Sequence, residues 1–310
     1  MEAKSNPLRI IGNQSPAASR RPRPDWLKVR LPQGENYFHL RSLVRDLRLN
    51  TVCEDARCPN IGECWGAGTA TLMILGEVCT RACKFCAVKT GRPPEYDLDE
   101  PRRAAAAIAE LHLKYAVITS VDRDDLEDGG AYIFAETIRL TREACPGIRI
   151  EVLIPDFRGS RESLGKVVLA RPDVLAHNIE TVPRLYPVAR AGSRYRRSLD
   201  HLKSAKTFGI DLRTKSSIMV GLGERRGEIL EALDDLRAAE VDIVTLGQYL
   251  QPTSEHLPVE RFYAPDEFAA FREYGMSLGF SHVEAGPLVR SSYHAEKQAA
   301  ALVKPAALST

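Results

Sequence analysis

The sequence predicts an α/β protein, a partial (β/α)6 barrel of the TIM type with N-terminal and C-terminal extensions. Two observations predict it. Apolar runs of strand length alternate with segments of helical periodicity from residue 71 onward, and six such units follow one another; strands separated by helices imply parallel strands joined by right-handed crossovers. Most residue types that carry chemistry also fall just after the apolar runs, where barrel enzymes place their sites.

Residues 1–25, with SPAASRRPRP, have many prolines and arginines and little apolar periodicity, and read as a flexible arm rather than an amphipathic targeting peptide. Residues 26–70 form an N-terminal extension, 71–260 the barrel and 261–310 a C-terminal extension. In NYFHLRSLVRDLR at 36–48, Phe38, Leu40, Leu43, Val44 and Leu47 recur at helical spacing. TLMIL at 71–75 is the first strand and delivers the chain to Cys79. A helix at 102–114 feeds a strand at 116–121, then a helix at 130–145, a strand at 149–155, a helix at 160–170 and a strand at 174–179. A helix at 198–208, a strand at 211–220, a helix at 225–239 and a strand at 241–249 complete the alternation. The C-terminal extension holds a helix near 266–279, a short strand at 281–285 and a terminal helix from about 293, and it could close over one barrel end.

With 44% hydrophobic and 27% charged residues, the 310-residue chain lies near the globular average. A net charge of +2 implies no nucleic-acid partner, and no apolar run is long enough for a membrane span. Six of the seven cysteines fall in two triplets, Cys53, Cys58, Cys64 and Cys79, Cys83, Cys86. A disulfide framework belongs to short secreted domains, and no apolar signal segment opens this chain. Structural zinc takes four ligands, usually two close pairs far apart in sequence, which three-plus-three spacing fits badly. Closely spaced soft thiolates suit iron-sulfur cubanes, so two triplets point to two 4Fe-4S clusters, each one protein thiolate short. So many free thiols point to a reducing, cytoplasmic setting. Cys145, before Pro146, reads as a small buried hydrophobe, and His177 as a packed side chain.

Cys79-x3-Cys83-x2-Cys86, with Phe85 before the last cysteine, resembles the signature of the radical S-adenosylmethionine enzymes. Cys53-x4-Cys58-x5-Cys64 resembles the auxiliary-cluster motif of the lipoyl synthase family, and DRDDLEDGG at 122–130, LAHNIETV at 175–182, YRRSL at 195–199, MVGLGE at 219–224 and GPLVRSSYHA at 286–295 extend the likeness. The resemblance implies the same barrel fold and the insertion of two sulfur atoms at C6 and C8 of an octanoyl-lysine. It implies S-adenosylmethionine and two 4Fe-4S clusters as cofactors: Cys79, Cys83 and Cys86 holding the reductive one, Cys53, Cys58 and Cys64 with Ser292 of the RSSY motif holding a sacrificial one. Read from the residues alone, Ser292 is more readily a helix N-cap, and it is the resemblance that makes it a ligand. The implied partners are octanoylated carriers (lipoyl domains of 2-oxoacid dehydrogenases and the glycine cleavage H protein), an electron donor such as ferredoxin or flavodoxin, and a cluster-repair carrier.

Candidate S-adenosylmethionine contacts are Asp122, Arg123 and Asp124 after one strand, Asn178 and Glu180 after another, and Gly221 and Glu224 in MVGLGE. Lys215 and Arg290 are candidates to steady anionic or carbonyl groups near the clusters, Lys215 alternatively ending an exposed strand. The arginines at 190, 194, 196 and 197 are either a solvated run or a surface that steers an acidic carrier. Rival readings are a biotin-synthase-like enzyme, opposed by the N-terminal triplet and RSSY, and a ferredoxin-like electron carrier, opposed by the size of the barrel.

Overall fold

The computed structural model describes residues 22–29, 34–66 and 69–300; residues 1–21 of the expected arm and residues 301–310 lie outside them. α1 (Glu35–Asp46) buries Leu40, Leu43 and Val44. Phe38, expected on the same face, is exposed, because at 100° per residue it stands about 200° around the helix from Leu40. The chain continues through β1 (Asn50–Thr51), α2 (Val52–Asp55) and α3 (Ile61–Gly66) to β2 (Thr71–Ile74), then a small parallel pair, β3 (Val78–Cys79) and β4 (Lys89–Thr90).

The alternation follows: α4 (Glu100–Glu110), β5 (Tyr115–Ser120), α5 (Ala131–Ala144), β6 (Arg149–Leu153), α6 (Arg161–Leu169), β7 (Val174–Ala176), the short α7 (Tyr186–Ala189), α8 (Tyr195–Lys206), β8 (Arg213–Val220), α9 (Arg226–Ala238) and β9 (Ile243–Gln248). α10 (Pro265–Ser277), β10 (His282–Gly286) and α11 (Ala295–Ala300) complete the described chain. α4 ends four residues before the expected limit, since His112 takes a left-handed φ of 50°. β7 stops at Ala176, and the chain rejoins β8 at a single Glu180–Ile218 bridge, with Glu180 at a φ of 66°.

The main sheet runs β1-β2-β5-β6-β7-β8-β9-β10, parallel from β2 onward and open between its edges, with β1 antiparallel to β2. The short strand of the C-terminal extension therefore joins the sheet as β10, a seventh parallel strand. Alternate residues separate two environments. Leu72, Ile74, Ile118 and Val152 pack with Ile108, Phe134, Ile138 and Val167 of the helices, while Ile218, Val244, Leu246 and Val283 pack with Leu233, Leu236, Phe268 and Phe271. On the other face Tyr115, Val117, Val174 and Ile243 meet Ala295, so the C-terminal segment returns to the inner wall. Cys145 caps the end of α5, packed against the first of these cores.

Gly247 makes that return possible. A Cβ there would collide with the Val289 carbonyl and lie 3.3 Å from the Arg290 guanidinium. Gly247→Ala is expected to lower stability by about 1–3 kcal/mol, the usual cost of overpacking, read as a lower urea midpoint with unchanged slope.

Candidate functional site

The second cysteine triplet lies at the C-terminal end of the parallel strands. Cys79 closes β3, and the loop after it is tied to the segment following β5: Thr80 N and Oγ1 donate to the Asp122 carbonyl (3.0 and 2.9 Å), and the amides of Arg81 and Asp122 point at Cys79 Sγ (3.4 and 3.3 Å). Lys84 N donates to the Ala189 carbonyl, Leu257 N donates to the Lys84 carbonyl, and His256 Nε2 lies 2.9 Å from the Cys86 carbonyl. Backbone bonds thus fix the loop independently of the thiols. Burial pushes Cys83 up to about 12 and Cys86 up to about 11, with Cys79 moved the same way by burial and then by Asp122. Burial of this kind favours the neutral thiol, so a thiolate at these positions needs a cation beside it.

Beside these cysteines, burial raises the carboxyls of Asp122 and Glu180, opposed at Asp122 by Arg81 and then Arg190 and at Glu180 by Arg190. Asn178 Nδ2 donates to Glu180 (3.1 Å), while its Oδ1 is buried without a partner. A buried acceptor left open beside two carboxyls and a guanidinium fits a polar ligand with amino and carboxylate groups. The unusual φ of Glu180 is the kind of strain that collects at functional sites.

Arg81, inside the cysteine motif, was not foreseen as a site residue. Its guanidinium forms a two-pronged pair with Asp124 (2.7 and 2.8 Å), bonds Asp156 (2.7 Å) and Ser193 (3.1 Å), and stands 3.3 Å from Asp122. Asp156 in turn binds Arg197 (2.7 Å). This network ties the loop to the ends of β5 and β6. The only local signal was a charged residue between two ligand cysteines.

Other expected contacts turn elsewhere. Arg123 is buried, and its guanidinium binds Asp125 and the carbonyls of Leu75 and Pro94. Gly221 has a φ of 108°, and a Cβ on it would lie 2.6 Å from the Arg261 carbonyl, so turn geometry and packing account for the glycine. Glu224 accepts from the amides of Gly221 and Leu222, closing that turn. Lys215 does not end an exposed strand: it is fully buried near the start of β8, paired with Glu151 (2.8 Å), which also accepts from Tyr115 Oη (2.7 Å). The register sets it beside Ala176, the last residue of β7, and Ile243, the first of β9. His177 is packed, with Nδ1 2.8 Å from the Ile154 carbonyl and Nε2 2.9 Å from Ser198 Oγ.

The first triplet lies at the opposite end of the strands, correcting the expectation that the chemistry gathers at their carboxyl ends. Antiparallel β1 leaves the sheet where β2 begins, Thr51 facing Leu72, and Cys53 follows directly. Cys53, Cys58, Cys64, Ser292 and Arg290 line one recess together with Thr71. Thr51 caps α2 by accepting from Glu54 N, and buried Trp65 stacks obliquely on Tyr37. Burial raises Cys53 to about 11 and Cys64 to about 12 and moves Cys58 upward; burial also lowers the Arg290 guanidinium, which Cys58 partly offsets.

The C-terminal segment is strapped to this recess. Asn60 Nδ2 donates to the Leu288 carbonyl (2.7 Å), Tyr293 Oη donates to Glu63 (3.0 Å), and the His294 ring stacks on Tyr293. α11 begins three residues after Ser292, so Ser292 is not its N-cap. Among the described residues no three His, Cys, Asp or Glu side chains converge as a single metal ion requires. Three soft thiols around one recess are the donor chemistry of an iron-sulfur cluster.

The matching family models are the Radical SAM superfamily, over residues 73–236, and the N-terminal domain of lipoyl synthase of the radical SAM family, over residues 5–58. Curated relatives include the lipoyl synthases of Rubrobacter xylanophilus (58% identical, 89% of this chain and 86% of that one), Geobacillus kaustophilus (58%; 91% and 95%) and Halalkalibacterium halodurans (57%; 89% and 91%). Among solved structures, methylornithine synthase aligns with a TM-score of 0.52 at 16% identity (83% and 84%). The FeFe-hydrogenase maturase of Carboxydothermus hydrogenoformans gives 0.52 at 15% (81% and 64%). These two likenesses are of fold alone. Among the described residues no helix is long and apolar enough to cross a membrane.

Proposed function

Since the chain belongs to the lipoyl synthase family of radical S-adenosylmethionine enzymes, we propose that its two cysteine sites serve one reaction from opposite ends of the barrel. That reaction is the insertion of sulfur at C6 and C8 of a protein-bound octanoyl-lysine, giving lipoyl-lysine, with S-adenosylmethionine and two 4Fe-4S clusters as cofactors. Relatives 57–58% identical over about nine-tenths of the chain set aside the biotin-synthase-like and ferredoxin-like alternatives.

Cys79, Cys83 and Cys86 hold the reductive cluster, and Cys53, Cys58, Cys64 and Ser292 the sacrificial one. When bound, the first cluster with S-adenosylmethionine supplies the 5'-deoxyadenosyl radical that removes a hydrogen atom, and the second supplies sulfur. An unactivated C–H bond offers no acidic proton to a general base, so the side chains position and exclude rather than react. Asp122, Asn178 and Glu180 orient the amino and carboxylate groups of S-adenosylmethionine, Arg190 balancing the two carboxyls. Arg123, Gly221 and Glu224 act one step back: they shape the loops that face the ligand. Lys215, paired with Glu151, fixes the polarity of the inner wall, and Arg290 offers a positive charge beside Cys58.

The observation that carries this reading is the placement of the two thiol sites at opposite ends of parallel strands, with β2 between them spanning roughly 13 Å at about 3.3 Å per residue. A slender acyl chain lying between them meets the radical source on one side and the sulfur source on the other. The octanoylated carrier is accompanied by two further partners: an electron donor such as ferredoxin or flavodoxin, and a carrier that rebuilds the consumed cluster. Six ligand thiols need a reducing compartment, which supports a cytoplasmic setting.

Anaerobic reconstitution followed by incubation with S-adenosylmethionine, dithionite and an octanoyl-lysyl carrier tests the reading. The expected result is about eight irons per chain, lipoyl product, and one 5'-deoxyadenosine per C–S bond. Absence of 5'-deoxyadenosine, or about four irons with both triplets intact, overturns it.

A further inference from the structure

A groove on the outer helical layer is unusually basic. Between the N-terminal ends of α6 and α8 it is lined by Arg158, Arg161, Arg194, Arg196 and Arg197, with Asp200 its one acidic residue. All but Arg197 are exposed. Of these five arginines only Arg197 has a carboxylate partner among the described residues, Asp156; Arg158 donates to the Asp124 carbonyl, and Arg161 donates to Thr207 Oγ1 while lying over the Phe208 ring. Arg190, grouped with these arginines in the sequence, instead points inward to the Asn178 carbonyl and Tyr186. Four guanidinium groups line this groove with no ion pair among the described residues, and they offer forked donors suited to carboxylates.

The groove connects directly to the radical site. Arg197 binds Asp156, Asp156 binds Arg81 on its other oxygen, and the Arg81 amide points at Cys79 Sγ. Both flanking loops follow barrel strands on the same end as Cys79. The groove nonetheless lies outside the strand wall, so a partner seated there stands close to the cysteine loop without threading anything into the interior.

We propose that this groove docks a small acidic electron-carrier protein that delivers the electron for each cleavage of S-adenosylmethionine. The inference rests on the radical-enzyme reading, because only a cluster reduced in every turnover needs such a donor. One electron passes from the reduced carrier to the oxidised cluster at Cys79, Cys83 and Cys86, and the oxidised carrier leaves. The octanoylated carrier has a different requirement: its acyl arm must reach the inner wall between the two thiol sites. Electron-transfer encounters are small and transient, and charge complementarity speeds them.

The test compares holoenzyme with the Arg194→Glu/Arg196→Glu variant, reading 5'-deoxyadenosine formation driven either by reduced acidic flavodoxin or by dithionite, which needs no docking. With flavodoxin the rate of the variant is expected to fall about tenfold or more at low salt, while the dithionite-driven rate stays unchanged. In the unsubstituted enzyme, raising ionic strength is expected to slow only the flavodoxin-driven reaction. An unchanged flavodoxin rate, equal losses with both reductants, or a raised KM for the octanoylated carrier under dithionite overturns the proposal. If dithionite yields no 5'-deoxyadenosine in the unsubstituted enzyme, the radical reading itself fails, a separate result.

Discussion

Cys83→Ala is expected to abolish 5'-deoxyadenosine formation and lipoyl product together, with iron falling from about eight to about four per chain. A cubane left with two thiolates has lost a ligand: Asp122, the carboxylate beside Cys79, is engaged by the Arg81 guanidinium at 3.3 Å. The loop itself survives the change, because Lys84 is bonded through its backbone to Ala189 and Leu257. The thiol is only partly buried, so the fold loses little packing. Circular dichroism and thermal midpoint should therefore stay near those of the unsubstituted protein while activity drops to background. Retention of measurable 5'-deoxyadenosine would remove Cys83 from the ligand set.

Local pattern carried the strands, the helices and the two triplets, since periodicity and cysteine spacing are written within a few residues. What it did not carry was which end of the barrel each triplet occupies. That depends on β1, two residues long, pairing antiparallel with β2 and so reversing the chain before Cys53. Arg81 was missed for a related reason: its partner Asp156 is 75 residues away, and nothing near either residue announces the pairing. Lys215 read as a possible exposed strand end, yet Glu151 from another strand neutralises it in the interior. The arginines near 190 divided in the same way. Arg190 and Arg197 found partners in the fold, while Arg194 and Arg196 kept their exposure. Ion pairs across the sheet are properties of topology, and only the finished register brings their members together.

Ser292→Ala is expected to leave 5'-deoxyadenosine formation near normal while lipoyl product falls at least tenfold, because the two thiol sites are held by separate elements. Ser292 shares a recess with Cys53, Cys58 and Cys64, whereas the Cys79 loop is fixed by the segments after β5 and α7. The substitution is not a capping mutation: α11 starts at Ala295, so the cost of a lost N-cap, about 1 kcal/mol, should not appear in the stability. The strap made by Asn60 with the Leu288 carbonyl and by Tyr293 with Glu63 also persists, which keeps the segment seated without the hydroxyl. An oxygen ligand is harder than thiolate and matches iron less well, so it releases its metal more readily. Ser292→Cys should accordingly retain iron at the first triplet but slow sulfur transfer, whereas Ser292→Ala should lower that iron. Mössbauer spectra of the two variants, set against product yield, separate these effects. Normal lipoyl formation by Ser292→Ala would show that three thiolates suffice and that the hydroxyl has no part in the chemistry.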